Sequence, residues 1–107
     1  MSERSEDFLS LLSYLLLRHG RPEKATHLLQ SLKIMRPNDA WTNRSLAYAL
    51  LLSGDYQGCL HHLDRIALTL PEDTEMRLIR SRALWGLGRE DEAKQMAKTL
   101  KQIKTER

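Results

Sequence analysis

One cysteine, Cys59, is all the sequence of 107 residues contains, so no intrachain disulfide can form. A small secreted scaffold built on disulfides is therefore excluded, and a reducing compartment fits. Long apolar runs are also missing. The longest, FLSLLSYLLL at 8–17, is about half of the ~20 residues a membrane span requires. Glu3, Glu6 and Asp7 precede it where a signal peptide needs basic residues, and Arg18-His19 follow it in place of a small-residue cleavage site. No membrane insertion and a cytoplasmic location are the expectations. Aromatics are scarce, with one Phe, two Trp and three Tyr, and charge of one sign is not in large excess: 17 basic against 14 acidic residues, net +3. That bias is too mild to imply nucleic acid by itself. A Gly-rich phosphate loop, HExxH, CxxC and a Ser-His-Asp spacing are all absent, so no catalytic residue and no cofactor are expected.

What is present reads as one globular domain over 1–107, with 41% hydrophobic and 29% charged residues. A domain of this length buries roughly two-thirds of its unfolded surface, which makes it marginal alone and inclined to depend on a partner. Its organising feature is a period. Gly20, Gly54 and Gly88 are 34 residues apart, and each is followed five residues later by a small side chain, Ala25, Cys59 or Ala93. Pro37 and Pro71 share the spacing, as do Leu16, Leu50 and Leu84, and Leu32, Ile66 and Leu100. Repeats are expected at about 6–39, 40–73 and 74–107.

Apolar residues recur at three and four spacing on both sides of each glycine, and no stretch alternates with period two, so each unit is expected to be a pair of helices. The first helices should cover 6–19, 40–53 and 74–87, and the second 22–35, 56–69 and 90–104. The glycine supplies the positive φ that ends a helix, Pro22 opens one without needing its N–H, and Pro37 and Pro71 close two others. The pattern resembles the tetratricopeptide repeat, with Gly20-Arg21-Pro22-Glu23-Lys24-Ala25 and its two counterparts as the Gly-x-x-x-x-Ala element. The resemblance implies an all-α fold of three stacked helix-turn-helix units in a short right-handed solenoid. Asn43 and Arg77 stand where that family often has Trp, and Arg80 where it prefers Leu.

Two clusters could carry chemistry. Cys59, His61, His62 and Asp64 share one expected helix, but Cys59 holds the small packing position, so a buried thiol beside surface histidines is the favoured reading and no metal site is expected. Arg77, Arg80, Arg82 and Arg89, with a stripe of Lys94, Lys98, Lys101 and Lys104, could line a nucleic-acid groove. Without interleaved aromatics the lysines read better as the solvated face of a terminal helix, and the arginines as partners of acidic groups on neighbouring helices or on another protein.

In tetratricopeptide families the first helices of the repeats line a concave face. The resemblance places Tyr14, Leu17, Trp41, Arg44, Tyr48, Leu51, Leu52, Leu78, Arg82 and Trp85 on or near it, as candidate partner-binding residues. The helix at 6–19 is apolar nearly all round and has no preceding repeat to cover it, so exposed apolar surface is expected there. With Phe8-Leu9, Leu11-Leu12, Leu28-Leu29 and Pro37-Asn38, the chain looks like the small tetratricopeptide chaperones of type III secretion, specifically the YscY (SctY) type. That resemblance implies a small secreted partner of the YscX (SctX) type, with the pair engaging the cytosolic domain of the export gate, SctV. The needle-subunit co-chaperone YscG (SctG) and a general peptide-binding scaffold are the alternatives.

Overall fold

The computed structural model describes residues 3–105, and side chains from residue 4 to residue 99. Six α-helices follow one another: α1 (Glu3–Arg18), α2 (Pro22–Met35), α3 (Ala40–Leu52), α4 (Tyr56–Ile66), α5 (Thr74–Gly86) and α6 (Glu90–Thr105). Among the described residues there is no strand. Two boundaries depart by three residues from those expected: α1 begins at Glu3 rather than 6, and α4 stops at Ile66 rather than 69. Pro71 pushes the residue before it out of helical geometry, and the chain tightens ahead of it: Leu68 N–H donates to the Arg65 carbonyl at 3.3 Å and Thr69 N–H to the Ile66 carbonyl at 3.1 Å.

The turns inside the helix pairs repeat in atomic detail. Gly20, Gly54 and Gly88 have φ of 72°, 81° and 78°. The N–H of the next residue reaches back to a carbonyl in the helix just ended: Arg21 to Leu16 at 2.8 Å, Asp55 to Leu50 at 3.0 Å, Arg89 to Leu84 at 2.9 Å. These bonds satisfy carbonyls that the helix end leaves open, and they require the left-handed conformation that glycine adopts freely. A Cβ built at Gly54 meets nothing within 4 Å, so the cost of Gly54→Ala lies wholly in the backbone. Chemical denaturation should show a loss of about 1 kcal/mol for this variant. The helices after the prolines begin on side-chain caps. Asp39 accepts from Thr42 N–H and Asp73 from Met76 N–H, both at 2.8 Å.

Each helix packs on the next in the chain, and α3 packs also on α5. The small residues sit at these contacts: Ala25 and Cys59 are wholly buried and Ala93 nearly so, and Ser81 Oγ donates across to the Ala93 carbonyl at 3.2 Å. Gly86 serves α4 similarly. The Tyr56 ring lies against it so closely that an added Cβ would sit 2.7 Å from the ring carbons.

Two apolar clusters result. Ala25, Leu29, Leu32, Leu46 and Ala49 form one, with Leu9, Leu16, Leu17, Met35 and Trp41 against it. Ala47, Leu51, Cys59, Leu60, Leu63, Ile66, Met76, Ile79, Ala83, Leu84 and Ala93 form the other. Helix α3 contributes opposite faces to the two, and Leu50 touches both.

Of the three positions that depart from the expected pattern, Asn43, Arg77 and Arg80, the first and last are held by polar contacts. Arg80 keeps its guanidinium at the edge of the core by pairing with Asp64 (2.7 Å) and Glu72 (2.9 Å). Asn43 is fully buried and its Nδ2 donates to the Pro37 and Asp39 carbonyls, each at 2.9 Å, which ties the α2–α3 loop to the first turn of α3.

Candidate functional site

Helices α3 and α5 leave a groove between them. Trp41, Ser45, Tyr48 and Leu52 follow at three or four spacing along α3, and Leu78, Arg82 and Trp85 along α5. Two cavities divide its length, one of about 330 Å³ lined by Trp41, Arg44, Ser45, Tyr48, Glu75, Leu78, Ile79 and Arg82. The other, of about 390 Å³, is lined by Leu51, Leu52, Tyr56, Arg82, Trp85 and Gly86. Arg82 borders both. Leu78 and Trp85 are more than half exposed, at 53% and 55%, although both are large and apolar.

Eight of the ten residues expected on this face line the groove, in different states. Tyr48, Leu52, Leu78, Arg82 and Trp85 are exposed. Trp41 is half-buried and packs against the first cluster, so it supports the fold as well as the groove wall. Leu51 lines the groove only at its base: it is 6% exposed and belongs to the second core cluster, because one helical step from Leu52 turns it toward α4 and α5. Arg44 is engaged internally, pairing with Asp73 at 3.0 Å and Glu75 at 3.1 Å, which links α3 to the start of α5. Tyr14 and Leu17, on α1, border neither cavity. Leu17 packs on the first cluster, and Tyr14 accepts a hydrogen bond from Arg18 Nη1 at 2.9 Å beneath the Arg18 guanidinium. Sequence reasoning missed Ser45, Tyr56, Glu75, Ile79 and Gly86 as lining residues; Glu75 stands one period after Trp41, which was the available signal.

The outer face of α1 is apolar and open. Phe8 is 61% exposed and Leu11 57%, with Leu15 on the same face, while Leu16 is turned inward against the first cluster.

The histidine expectation is corrected in part. His61 is exposed, but His62 is 7% exposed and buried among α2, α3 and α4. Its Nδ1 lies 3.3 Å from Lys33 Nζ and its Nε2 3.2 Å from the Asn43 carbonyl oxygen. A neutral ring with its hydrogen on Nε2 satisfies both contacts. Burial, and secondarily the nearby Lys33 ammonium, depress its pKa to about 4. Burial likewise pushes the Cys59 thiol up to about 11, away from the reactive thiolate. Among the described residues no group of three His, Cys, Asp or Glu side chains could hold a metal ion.

Of the arginines at the third repeat, Arg80 and Arg89 are paired, the latter to Glu92 at 2.9 Å, whereas Arg77 and Arg82 have no ion-pair partner among the described residues. Lys94 and Lys98 are exposed; the side chains of Lys101 and Lys104 lie outside the described residues. No helix among the described residues is long and apolar enough to cross a membrane. No protein-family model matches the chain, and no curated protein matches it.

Proposed function

We propose that the chain is a tetratricopeptide-type interaction module whose α3/α5 groove holds an apolar segment of a partner protein. The observation that carries this reading is the pair of large apolar side chains, Leu78 and Trp85, left open beside Tyr48 and Leu52 in a groove between two helices. Aromatic anchors in such grooves dominate interface energetics, and contiguous exposed apolar surface marks protein contact. Three identically hydrogen-bonded glycine turns at one period, with small residues at the helix contacts, support the repeat architecture.

Within this reading the partner is a small secreted protein of the YscX (SctX) type, and the chain is its type III secretion chaperone, stabilising it until delivery to the export gate SctV. The short motifs resembling the YscY family and the open apolar face of α1 favour a stabilising chaperone over a scaffold that grips a short peptide. Co-expression tests it. The partner should be insoluble alone and recovered as a stoichiometric complex with this chain. Leu78→Ala combined with Trp85→Ala should lower recovery at least about tenfold, and Leu15→Asp should lower it without unfolding the protein, since Leu15 faces water. Changing Lys94 and Lys98 should leave recovery intact. Full recovery by the folded groove variant would show that the groove is not the site.

A further inference from the structure

We infer that the segment held in the α3/α5 groove carries an acidic residue at its centre, flanked by apolar side chains on both sides, and that Arg82 selects it. This rests on the groove being the partner site. Arg82 is the one residue common to both cavities, so it stands midway along the groove, with Tyr48 and Leu78 to one side and Leu52 and Trp85 to the other. It has no hydrogen bond or ion pair among the described residues, unlike Arg36, Arg44, Arg80 and Arg89, each of which meets a carboxylate of its own chain. The groove's other lining charges, Arg44 and Glu75, are engaged with each other at 3.1 Å, and Arg44 also with Asp73 at 3.0 Å. Among the described residues Arg82 is therefore the one charge lining the groove with no counter-charge of its own chain against it.

That placement is selective. A partner lying over Tyr48, Leu78, Leu52 and Trp85 strips water from the Arg82 guanidinium. A buried unpaired charge is costly, and only an acceptor with negative charge offsets it with paired hydrogen bonds. An apolar or basic residue at the same point leaves the penalty in place, so discrimination comes as much from rejection of the wrong segment as from attraction of the right one. From Trp41 to Leu52 the groove runs about 16 Å at the rise of an α-helix, room for about five extended residues or three helical turns. The recognised pattern is thus apolar, acidic, apolar within one short segment.

A random library of displayed 12-residue peptides, selected on the full chain and in parallel on Arg82→Glu, tests this, with Trp85→Ala as the groove control. Arg82 is exposed and unpaired, so its variants should keep the thermal midpoint of the parent, and Arg82→Gln supplies a neutral second variant. Peptides selected on the parent should carry Asp or Glu between apolar residues, and those selected on Arg82→Glu should carry Lys or Arg there. A synthesised parent-selected peptide should bind Arg82→Glu about tenfold more weakly, bind Arg82→Gln with intermediate affinity, and regain binding to Arg82→Glu when its acidic residue becomes Lys. Peptides that lose binding to Trp85→Ala but show no acidic preference and bind Arg82→Glu unchanged would overturn the role of Arg82 while leaving the groove as the site. Peptides indifferent to both substitutions, or no enrichment at all, would overturn the groove and this inference together.

Discussion

Acidification from pH 6.5 to pH 4 is expected to remove about 3 kcal/mol of folding stability through His62 alone, since each tenfold difference in proton affinity between the states is worth about 1.4 kcal/mol. The unfolded chain binds a proton at His62 from its ordinary value of 6.5 downward, whereas the folded chain, with the ring buried beside Lys33, binds it only near 4. Between those values the unfolded state holds more protons, so stability falls as pH falls; below 4 both states are protonated and the loss is complete. A domain of this size has about 5–15 kcal/mol in total, so the effect is a large share. Protonation would place an imidazolium 3.3 Å from the Lys33 ammonium, near Arg65 and His61 as well, with no carboxylate among the groups that shift its titration. His62→Gln removes the titrating group while keeping a donor for the Asn43 carbonyl. Urea midpoints measured across pH 4–8 should slope steeply for the parent over this window and be nearly flat for the variant; equal slopes would show that acid lability arises elsewhere.

Leu29→Ala and Leu63→Ala should each cost about 3 kcal/mol. These residues stand at the same point of successive repeats, at 0% and 1% exposure, one in each core cluster. Truncating either leaves a cavity that rigid helical neighbours cannot fill. Because Leu50 touches both clusters, the two are expected to melt together. In a Trp85→Phe background, Trp41 fluorescence, which then reports the first cluster, and far-ultraviolet dichroism, which reports all helices, should therefore give coincident transitions for both variants. A Leu63→Ala protein whose Trp41 transition stays at the parent's midpoint would show instead that the clusters unfold separately.

Much of this fold was legible in the period itself. The three glycines predicted the three left-handed turns, and the small residues five positions later predicted close helix contacts, because both follow from sterics that any chain obeys. The caps at Asp39 and Asp73 were not read from the sequence, although they stand 34 residues apart and each two residues after a proline. The burial of His62 was not read there, and the surface position expected for it was wrong, although the same register holds the apolar Leu28 one period earlier and Met96 one period later. The site was less legible, because equivalent positions receive different neighbours. Leu17, Leu51 and Trp85 share a register, yet Leu51 is covered by the second cluster while Trp85 has no helix over it among the described residues. Periodicity specifies which way a side chain points from its own helix, and only the assembled fold decides what lies in front of it. The pairing of Arg44 with Asp73 and Glu75 escaped for the same reason, since those partners lie a whole repeat away.

The placement of α3 between the two cores sets an order of opening. Its backbone amides are shielded by α2 on one side and by α4 and α5 on the other, whereas α1 leans principally on α2 and α6 on α5. Under native conditions the peptide hydrogens of α3 should exchange with deuterium only through complete unfolding, and those of α1 and α6 through cheaper partial openings that start at the ends. A segment seated beside Tyr48 and Leu52, as proposed, would grip the helix expected to open last. Its binding would be reported by slower exchange in both halves of the chain at once, including helices it never touches.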